Sequence, residues 1–450
     1  MSRLFGTDGI RGISNKELTC ELSMAVGRSL ALILRNSGIE SPRVIVGCDT
    51  RLSSDMLSFA MMSGLCSMGA NAVYIGVTAT PAVAFLTREE KADAGVMISA
   101  SHNTWEYNGI KIFSGDGFKL PDILEERIES MVAKPEDYLG DTEVSVGKIY
   151  LSDEMREKYI EHLISTIPFR MDGMRIAVDC SNGSASSTAE KVFSRLGANV
   201  FILFSEPNGR NINEACGSTN IEKLRDYVKT NSLDAGFAFD GDADRCLCVD
   251  ENGNIIDGDM ILAMCALDLK QRGKLKNNTV VGTVMTNFGF NKFCGEYGIT
   301  FLAANVGDRY VLEEIEKGDY TLGGEQSGHI IFREHATTGD GQLTAIKVLS
   351  LMKRSGKSLS ELSGVMERYP QVIVNVVVSS EGKLLFYTDP KIKEAIFEAE
   401  KRLGDDGRIL VRPSGTEQLI RIMTEGRDRK VIEEVAETVE KTIKERLKNK

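Results

Sequence analysis

Three aspartates at alternate positions are the residues in this sequence most able to do chemistry. Asp240, Asp242 and Asp244 directly follow the apolar run 235–239. Neighbouring carboxylates repel one another, and a divalent cation removes that repulsion. Because ligation by oxygen alone suits Mg²⁺ or Ca²⁺, we predict a metal site here. A solvated acidic turn is the plain alternative. A calcium-binding EF-hand is disfavoured because Arg245 occupies the sixth position, where that loop requires glycine.

Three further polar clusters combine a nucleophile, an imidazole or anion-binding groups. They are Ser99 to Asn103 with Lys111 after it, Gly323 to His329, and Arg412 to Glu417 with Arg421 after it. The first places a hydroxyl beside an imidazole, and the second could contact the hydroxyls of a polar ligand. The third offers charge-assisted donors suited to one phosphate. Each cluster taken alone is also compatible with an ordinary turn, and the Gly-x-Ser-x-Gly signature of a hydrolase is absent.

The elements that position these loops form a weak threefold repeat. Segments beginning at Arg43, Met174 and Asn278 each follow the same plan of strand, loop, helix, glycine turn and strand, and later a strand that ends in a polar loop. Strands alternating with helices predict α/β units with mostly parallel strands. In such sheets, ligands bind beyond the carboxyl ends of the strands. A ligand is therefore expected at three loops: Ser99 to Asn103, Asp240 to Arg245, and Glu325 to His329.

The pattern changes at about Arg368. Strand, helix, two strands and a final amphipathic helix predict a smaller α+β domain. A helical segment over 151–167 separates the first two repeats. We therefore expect an α/β fold of three similar mixed-sheet domains plus a smaller C-terminal α+β domain around a central cleft. The expected boundaries, domain by domain, are 1–155, 156–254, 255–367 and 368–450.

Composition excludes several classes of protein. The 450 residues include 65 acidic and 54 basic side chains, a formal net charge of −11. This balance disfavours nucleic-acid binding through a broad basic surface. No apolar run is long enough to span a bilayer, and the start of the chain has no secretory signal pattern. Nine cysteines without a Cys-x-x-Cys pair are typical of buried, reduced thiols. We expect a cytoplasmic protein without nucleic-acid or membrane partners.

Taken together and in this order, the motifs resemble those of the α-D-phosphohexomutase family over essentially the whole chain. The motifs that carry the resemblance are FGTDGIRG (5–12), SASHN (99–103), DGDADR (240–245), GEQSGH (324–329) and RPSGTE (412–417). Three further segments are typical of the branch that isomerises glucosamine phosphates: NINEACGST (211–219), VGDRYV (306–311) and TTGDG (337–341). Thr104, Tyr107 and Gln418 stand where the family pattern has Pro, Asp and Pro, which affects loop rigidity. Trp105 is expected to lie partly exposed beside the serine loop.

The resemblance implies that glucosamine 6-phosphate and glucosamine 1-phosphate are interconverted through a phosphoserine and a bound 1,6-bisphosphate. This reaction would feed the synthesis of amino-sugar nucleotides and cell-wall precursors. The implied cofactor is Mg²⁺, held by Ser101 and the three aspartates. Implied catalytic residues are Ser101, Lys111, His329 and Arg11, with Lys111 and His329 as candidates for proton transfer. Implied substrate-binding residues are His102, Arg245, Arg309, Glu325, Ser327, Arg412, Ser414, Gly415, Thr416 and Arg421.

Other functions fit the same motifs. The substrate could be glucose or mannose phosphate, as in other branches of the family. Water could take the phosphoryl group from Ser101, which would make the protein a Mg²⁺-dependent sugar phosphatase. A sugar-phosphate sensor without catalysis would need a broken motif, yet Ser101 and the aspartates are intact. In each case the partner is a small sugar phosphate, and the sequence leaves the oligomeric state open.

Overall fold

The computed structural model describes residues 4–6, 8–137, 145–414 and 418–447. The chain divides into two compact units. The larger unit comprises Met1–Met285 and Gly298–Val365, and the smaller comprises Thr286–Tyr297 and Met366–Lys450.

The first sheet of the larger unit has seven strands in the order β1-β2-β6-β5-β3-β4-β7. The strands are β1 (Phe5–Gly6), β2 (Gly9–Ile13), β3 (Arg43–Cys48), β4 (Asn71–Val77), β5 (Ala94–Ile98), β6 (Tyr107–Ser114) and β7 (Ile149–Leu151). The helices around it are α1 (Cys20–Asn36), α2 (Ser54–Ser67), α3 (Thr80–Glu89) and α4 (Asp122–Ala133). β3 runs parallel to β4 and β5, whereas β6 is antiparallel to β5. Every residue of β5 is buried, as expected for a strand covered on both faces.

The second sheet has five strands in the order β12-β11-β10-β8-β9. The strands are β8 (Arg175–Asp179), β9 (Asn199–Leu203), β10 (Ala235–Phe239), β11 (Cys246–Asp250) and β12 (Ile255–Ile256). The accompanying helices are α5 (Glu154–Ser165), α6 (Ala189–Arg195) and α7 (Glu222–Thr230). β8 is parallel to β9 and β10, and β11 returns antiparallel to β10. The aspartate motif is therefore the turn of a hairpin, with Phe239 opposite Cys246.

The third sheet has four strands in the order β14-β13-β15-β16. The strands are β13 (Thr279–Thr283), β14 (Thr300–Ala304), β15 (Leu322–Gly324) and β16 (Ile330–Phe332). Its helices in the larger unit are α8 (Gly258–Gln271), α10 (Asp308–Gly318), α11 (Gly341–Ser355) and α12 (Leu359–Ser363). β13 is parallel to β14 and β15, and β16 pairs antiparallel with β15. The GEQSGH motif thus also lies in a hairpin, so all three repeats place their polar loop between a parallel strand and its antiparallel neighbour.

The smaller unit is α+β. Its antiparallel sheet has the order β17-β19-β18. The strands are β17 (Gln371–Val377), β18 (Gly407–Pro413) and β19 (Leu419–Gly426). Its helices are α9 (Phe288–Glu296), α13 (Ser380–Phe386), α14 (Pro390–Leu403) and α15 (Arg429–Leu447). The predicted fold class, three mixed-sheet α/β repeats and a C-terminal α+β segment, is confirmed. The four domain boundaries stay a prediction.

Candidate active site

Ser101 is held in a strained loop after β5. Its φ is 51°, in the left-handed region that serine rarely adopts, and it is only 1% exposed. The Ser101 hydroxyl donates to Asp240 Oδ2 at 2.6 Å. The structure therefore brings the serine loop of the first repeat against the aspartate hairpin of the second.

The three aspartates form a buried cluster. Each offers one carboxylate oxygen, and these atoms lie within 4.8 Å of one another. Asp242 Oδ2 accepts hydrogen bonds from Thr80 Oγ1 at 2.5 Å and Lys111 Nζ at 2.8 Å. In contrast, Asp242 Oδ1 and Asp244 Oδ1 are buried without a hydrogen-bond donor among the described residues. Orphaned buried carboxylate oxygens fit a hard cation of the Mg²⁺ or Ca²⁺ kind.

The surroundings of the cluster shift the pKa values of Asp240 and Asp244 in opposite directions. Burial, together with Asp244 and Asp242, raises the pKa of Asp240 well above its usual value. Burial also acts to raise the pKa of Asp244, but Lys111 and other positive groups hold it well below the usual range. Arg245 Nε lies 3.9 Å from both Asp240 and Asp244. A cation at this cluster would stabilise the ionised form of Asp240.

Lys111 lies inside the carboxylate cluster. Its Nζ is 2.8 Å from Asp242, 3.2 Å from Asp244 and 3.0 Å from Asp8. Burial acts to lower the pKa of Lys111, but the three carboxylates raise it well above its usual value. Lys111 is consequently a fixed positive charge at neutral pH.

Asp8, Lys119 and Asp308 form a second layer of charged residues that the sequence did not predict as part of the site. Asp8 accepts from Lys119 at 2.6 Å and from Arg11 at 2.5 Å, and Lys119 also pairs with Asp308. Burial acts to raise the pKa of Asp8, but Lys111 and the other cations lower it overall. Asp8 and Asp308 lie within the quoted motifs FGTDGIRG and VGDRYV, so the motifs contained the signal, but no spacing rule identified these two carboxylates.

His329 closes one side of the cluster. Gly339 N–H donates to its Nε2 at 2.9 Å, and Nδ1 lies 3.7 Å from Asp244 Oδ2. Burial acts to lower the pKa of His329, whereas Asp244 and the nearby carboxylates raise it above its usual value. Gly328 allows this packing, because its φ is 91° and an added Cβ would lie 2.3 Å from Cys246 O.

A cavity of about 490 Å³ opens beside these residues. Arg11, His102, Arg245, Glu325 and His329 all line it. Burial, followed by the charges of Arg245 and Arg11, lowers the pKa of His102 to about 4. His102 is therefore neutral at pH 7, with Nδ1 3.5 Å from Ser101 Oγ.

The other predicted substrate contacts of the larger unit divide into two groups. Ser327 Oγ lies 3.5 Å from Glu325 Oε2, next to the cavity wall. Arg309 does not line the cavity and instead pairs with Asp122, Glu125 and Glu313. The structure thus brings all the predicted groups of this unit together except Arg309.

The arginines of the predicted phosphate clamp lie on neighbouring strands of the smaller unit. Arg412 on β18 is directly opposite Arg421 on β19. Arg421 Nε donates to Asn375 Oδ1 at 3.2 Å, and Lys383 Nζ donates to Ser414 O at 2.6 Å. Like charges directly opposite one another are destabilising unless an anion joins them. Gly415 and Thr416 lie outside the described residues.

Comparison with known proteins gives consistent matches along the chain. Four domain models of phosphoglucomutase/phosphomannomutase match: the α/β/α domains I, II and III at residues 2–139, 157–253 and 257–369, and the C-terminal domain at 373–442. The chain belongs to the phosphoglucomutase/phosphomannomutase family. Each polar cluster falls in a different domain of this family: the serine loop in domain I, the aspartates in II, GEQSGH in III and RPSGTE in the C-terminal domain.

Two full-length relatives are phosphoglucosamine mutases. The phosphoglucosamine mutase of Caldanaerobacter subterraneus subsp. tengcongensis is 52% identical over 99% of this chain and 100% of its own length. The phosphoglucosamine mutase of Clostridium botulinum is 51% identical over 97% of this chain and 98% of its own length. The expected resemblance to the α-D-phosphohexomutases is confirmed.

Solved structures support the fold. A phosphoglucomutase/phosphomannomutase family protein from Burkholderia thailandensis matches with a TM-score of 0.84 at 22% identity, covering 99% of this chain and 98% of its own. Aspergillus fumigatus N-acetylphosphoglucosamine mutase, solved with GlcNAc-6P and magnesium, matches with a TM-score of 0.66 at 17% identity, covering 98% and 95%. Within the described part of the chain, no helix combines the length and apolarity needed to cross a membrane.

Proposed function

We propose that this chain interconverts glucosamine 6-phosphate and glucosamine 1-phosphate through a phosphorylated Ser101 and a bound 1,6-bisphosphate. One observation carries the proposal: the Ser101 hydroxyl contacts Asp240 within a buried cluster of three aspartates. The choice of glucosamine rests on the names of the full-length relatives. The four segments 1–155, 156–254, 255–367 and 368–450 are proposed as its domains.

The reaction is two phosphoryl transfers of opposite direction. In the first, the bond between Ser101 Oγ and phosphorus breaks, and the free sugar hydroxyl forms a new bond to that phosphorus as it loses its proton. The sugar then carries phosphate at both C1 and C6. The bisphosphate then reorients, so that its other phosphate faces Ser101. The bond between that phosphorus and the sugar oxygen breaks as Ser101 Oγ binds the phosphorus, and the sugar oxygen takes up a proton. The enzyme therefore ends the cycle phosphorylated, as it began.

Mg²⁺ is the proposed cofactor. The donor set of Asp240, Asp242, Asp244 and a phosphate oxygen on Ser101 fits Mg²⁺, because all the atoms are hard oxygens. Two of the buried carboxylate oxygens also have no hydrogen-bond donor in the part of the chain that the structure describes. When bound, such an ion neutralises charge on the transferring group.

The fixed charges of the chain stabilise the same transfer. Lys111 is held by carboxylates, so it supplies positive charge beside the transferring group. Arg245 adds a second positive charge at the cavity wall. Because phosphoryl transfer depends mainly on positioning and charge, these groups fit the reaction. Lys111 and His329 are the two groups proposed to exchange a proton with the sugar.

His102, Arg245 and Glu325, three of the proposed substrate-binding residues, line the cavity of the larger unit. Its volume of about 490 Å³ can hold a hexosamine phosphate. Glu325 and Ser327 are proposed to bind sugar hydroxyls. Arg412, Ser414 and Arg421, with Gly415 and Thr416, are proposed to bind the phosphate that is not reacting. Arg309 is the weakest member of this group, since its guanidinium is already paired with carboxylates.

A ³¹P NMR assay tests the proposal, because phosphates on C1 and C6 give separate signals. The purified chain is incubated with Mg²⁺, a trace of hexose 1,6-bisphosphate and, in turn, the 6-phosphates of glucosamine, glucose and mannose. We expect the fastest formation of a 1-phosphate from glucosamine. Faster turnover of another sugar would reassign the substrate, and release of inorganic phosphate without isomerisation would indicate a phosphatase.

Intact mass spectrometry tests the nucleophile. The wild type should gain the mass of one phosphoryl group, and Ser101→Ala should lose both the adduct and nearly all activity. Ser130→Ala is the matched control, because Ser130 is exposed and its hydroxyl donates to Glu126 O within helix α4. An active Ser101→Ala variant would refute the phosphoserine mechanism. Ser99, two residues away, is no neutral control, since its hydroxyl is buried and donates to Asp49 at 2.6 Å.

A further inference from the structure

Arg51 lies beneath the serine loop and binds its main chain. The residue is 3% exposed, and its Nε is 2.7 Å from Asp49 Oδ2 in a fully buried ion pair. Its other guanidinium nitrogens donate to four main-chain carbonyls: Ser101 O at 2.8 Å, Asn103 O at 2.9 Å, Tyr107 O at 3.0 Å, and Thr104 O. All the donors of this arginine are therefore directed at one ion partner and one loop.

Asn213 holds two of the same carbonyls from a loop of the second repeat. Its Nδ2 donates to Ser101 O and to Asn103 O, both at 2.9 Å. Ser181 Oγ donates to Asn213 Oδ1 at 2.7 Å, which fixes the orientation of the amide. Two side chains from different sheets thus converge on the carbonyl oxygen of Ser101.

The amide side of Ser101 is fixed by the same ion pair. Ser101 N–H donates to Ser99 Oγ at 3.0 Å, and Ser99 Oγ donates to Asp49 Oδ2 at 2.6 Å. With the Ser101 carbonyl and amide both bound, the left-handed φ of 51° is enforced, and the hydroxyl is directed at Asp240.

We propose that Arg51, Asp49 and Asn213 are positioning residues that fix the Ser101 loop in the geometry required for phosphoryl transfer. The inference rests on the proposed function. It also accounts for the departures at Thr104 and Tyr107: these positions contribute carbonyl oxygens to Arg51, and a carbonyl is present whatever the side chain. The rigidity that a proline at position 104 would give is supplied by the guanidinium.

The test uses two variants that keep the fold, with one control. Arg51→Lys keeps the charge opposite Asp49, but an ammonium has three donors and cannot reach all the carbonyls. Asn213→Ala removes the two hydrogen bonds to the serine loop and the one from Ser181, and leaves no buried charge. Asn220→Ala, on an exposed residue seven positions further along, is the matched control. Arg51→Ala is avoided because it would leave Asp49 buried without a partner.

The readouts separate positioning from stability. Loading of Ser101 from hexose 1,6-bisphosphate is followed by intact mass, and kcat and KM by the NMR assay, at temperatures where melting curves show each variant folded. We expect kcat and the loading rate to fall by about 100-fold in each variant, with KM within about threefold, since misplacement of a reacting group by about 1 Å costs this much. The control should match the wild type.

The outcomes distinguish this inference from the proposed function. Variants that melt earlier but load Ser101 at the wild-type rate would overturn the positioning role and leave the mutase proposal intact. A wild type that loads Ser101 without isomerising glucosamine phosphates would refute the substrate assignment, while slow loading in the variants would still support positioning. A wild type that accepts no phosphoryl group would overturn both.

Discussion

Replacing Gly339 by alanine would test the role of His329 without removing the imidazole. The backbone at Gly339 packs against the face of that ring, and a Cβ added there would lie 2.6 Å from three of its atoms. Ordinary contact begins at 3.4 Å, so the ring or the loop must move by about 0.8 Å. The same movement would stretch the hydrogen bond from Gly339 N–H to Nε2, now 2.9 Å.

The expected effect follows from that displacement. A shift of this size in a reacting or proton-transferring group should lower kcat by about 10- to 100-fold, with a smaller change in KM. The melting temperature should fall as well, because the buried His329 ring must give way to the added methyl group. The ³¹P NMR assay measures kcat and KM, and circular dichroism measures melting.

Gly295→Ala is the matched control for this substitution. Gly295 lies near the end of α9, and a Cβ there meets nothing within 4 Å. That variant should keep full activity and be neutral or slightly more stable. If Gly339→Ala keeps kcat within about twofold of the wild type, the position of His329 is not critical, and its assignment to proton transfer is wrong.

Three further predictions concern other parts of the chain. Arg412→Ala should weaken binding of both sugar phosphate isomers by about 1.5–3 kcal/mol, roughly 10- to 150-fold, because either phosphate must occupy the clamp; an effect on one isomer alone would contradict this. Trp105 is half-buried, as expected, and the Arg210 guanidinium lies 5.2 Å from its ring centroid. Intrinsic tryptophan fluorescence should therefore change when Mg²⁺ and sugar phosphate bind together, and Trp105→Phe should abolish this change. Burial raises the pKa of Asp340 from 3.8 to about 6, so the folded state binds its proton more tightly and stability is lost as pH rises through that range. The free energy of unfolding of Asp340→Asn, relative to that of the wild type, should therefore rise by up to about 3 kcal/mol between pH 4 and pH 7 in denaturant titrations. A difference in stability that does not change with pH would refute the raised pKa of Asp340.

The fold was predictable because local patterns and global topology agree. The buried run of β5 and the strand before Asp240 are continuous apolar segments bounded by polar loops, which is the signature of strands covered on both faces. Because ligands bind beyond the carboxyl ends of parallel strands, Ser101 and the aspartates could be expected near one site. That rule does not predict the antiparallel strand that follows each polar loop and makes it a hairpin. It also does not predict the short edge strands β1, β7 and β12.

The supporting residues of the site could not be predicted from spacing. Asp8 and Asp308 lie about 300 residues apart in sequence and are joined by Lys119, which pairs with both. Arg51 binds main-chain carbonyls, so its partners leave no trace in the sequence of the serine loop. Arg309 was expected to bind substrate because it lies in a matching motif, and that role stays a prediction; its ion pairs with carboxylates on α4 and α10 could not be predicted from spacing either.

The balance of buried charge explains why one serine phosphate and one metal ion would belong together here. Five carboxylates face four cations around Ser101: Asp8, Asp240, Asp242, Asp244 and Asp308 against Arg11, Lys111, Lys119 and Arg245. A phosphoryl group on Ser101 would add a charge of about −1.5 to −2, which this excess of carboxylates opposes. A divalent cation at the aspartates offsets that added charge almost fully. Asp240 is the carboxylate in contact with the Ser101 hydroxyl, and burial, followed by the charges of Asp244 and Asp242, raises its pKa. Phosphorylation of Ser101 should accordingly tighten metal binding, and metal binding should favour phosphorylation by the same factor.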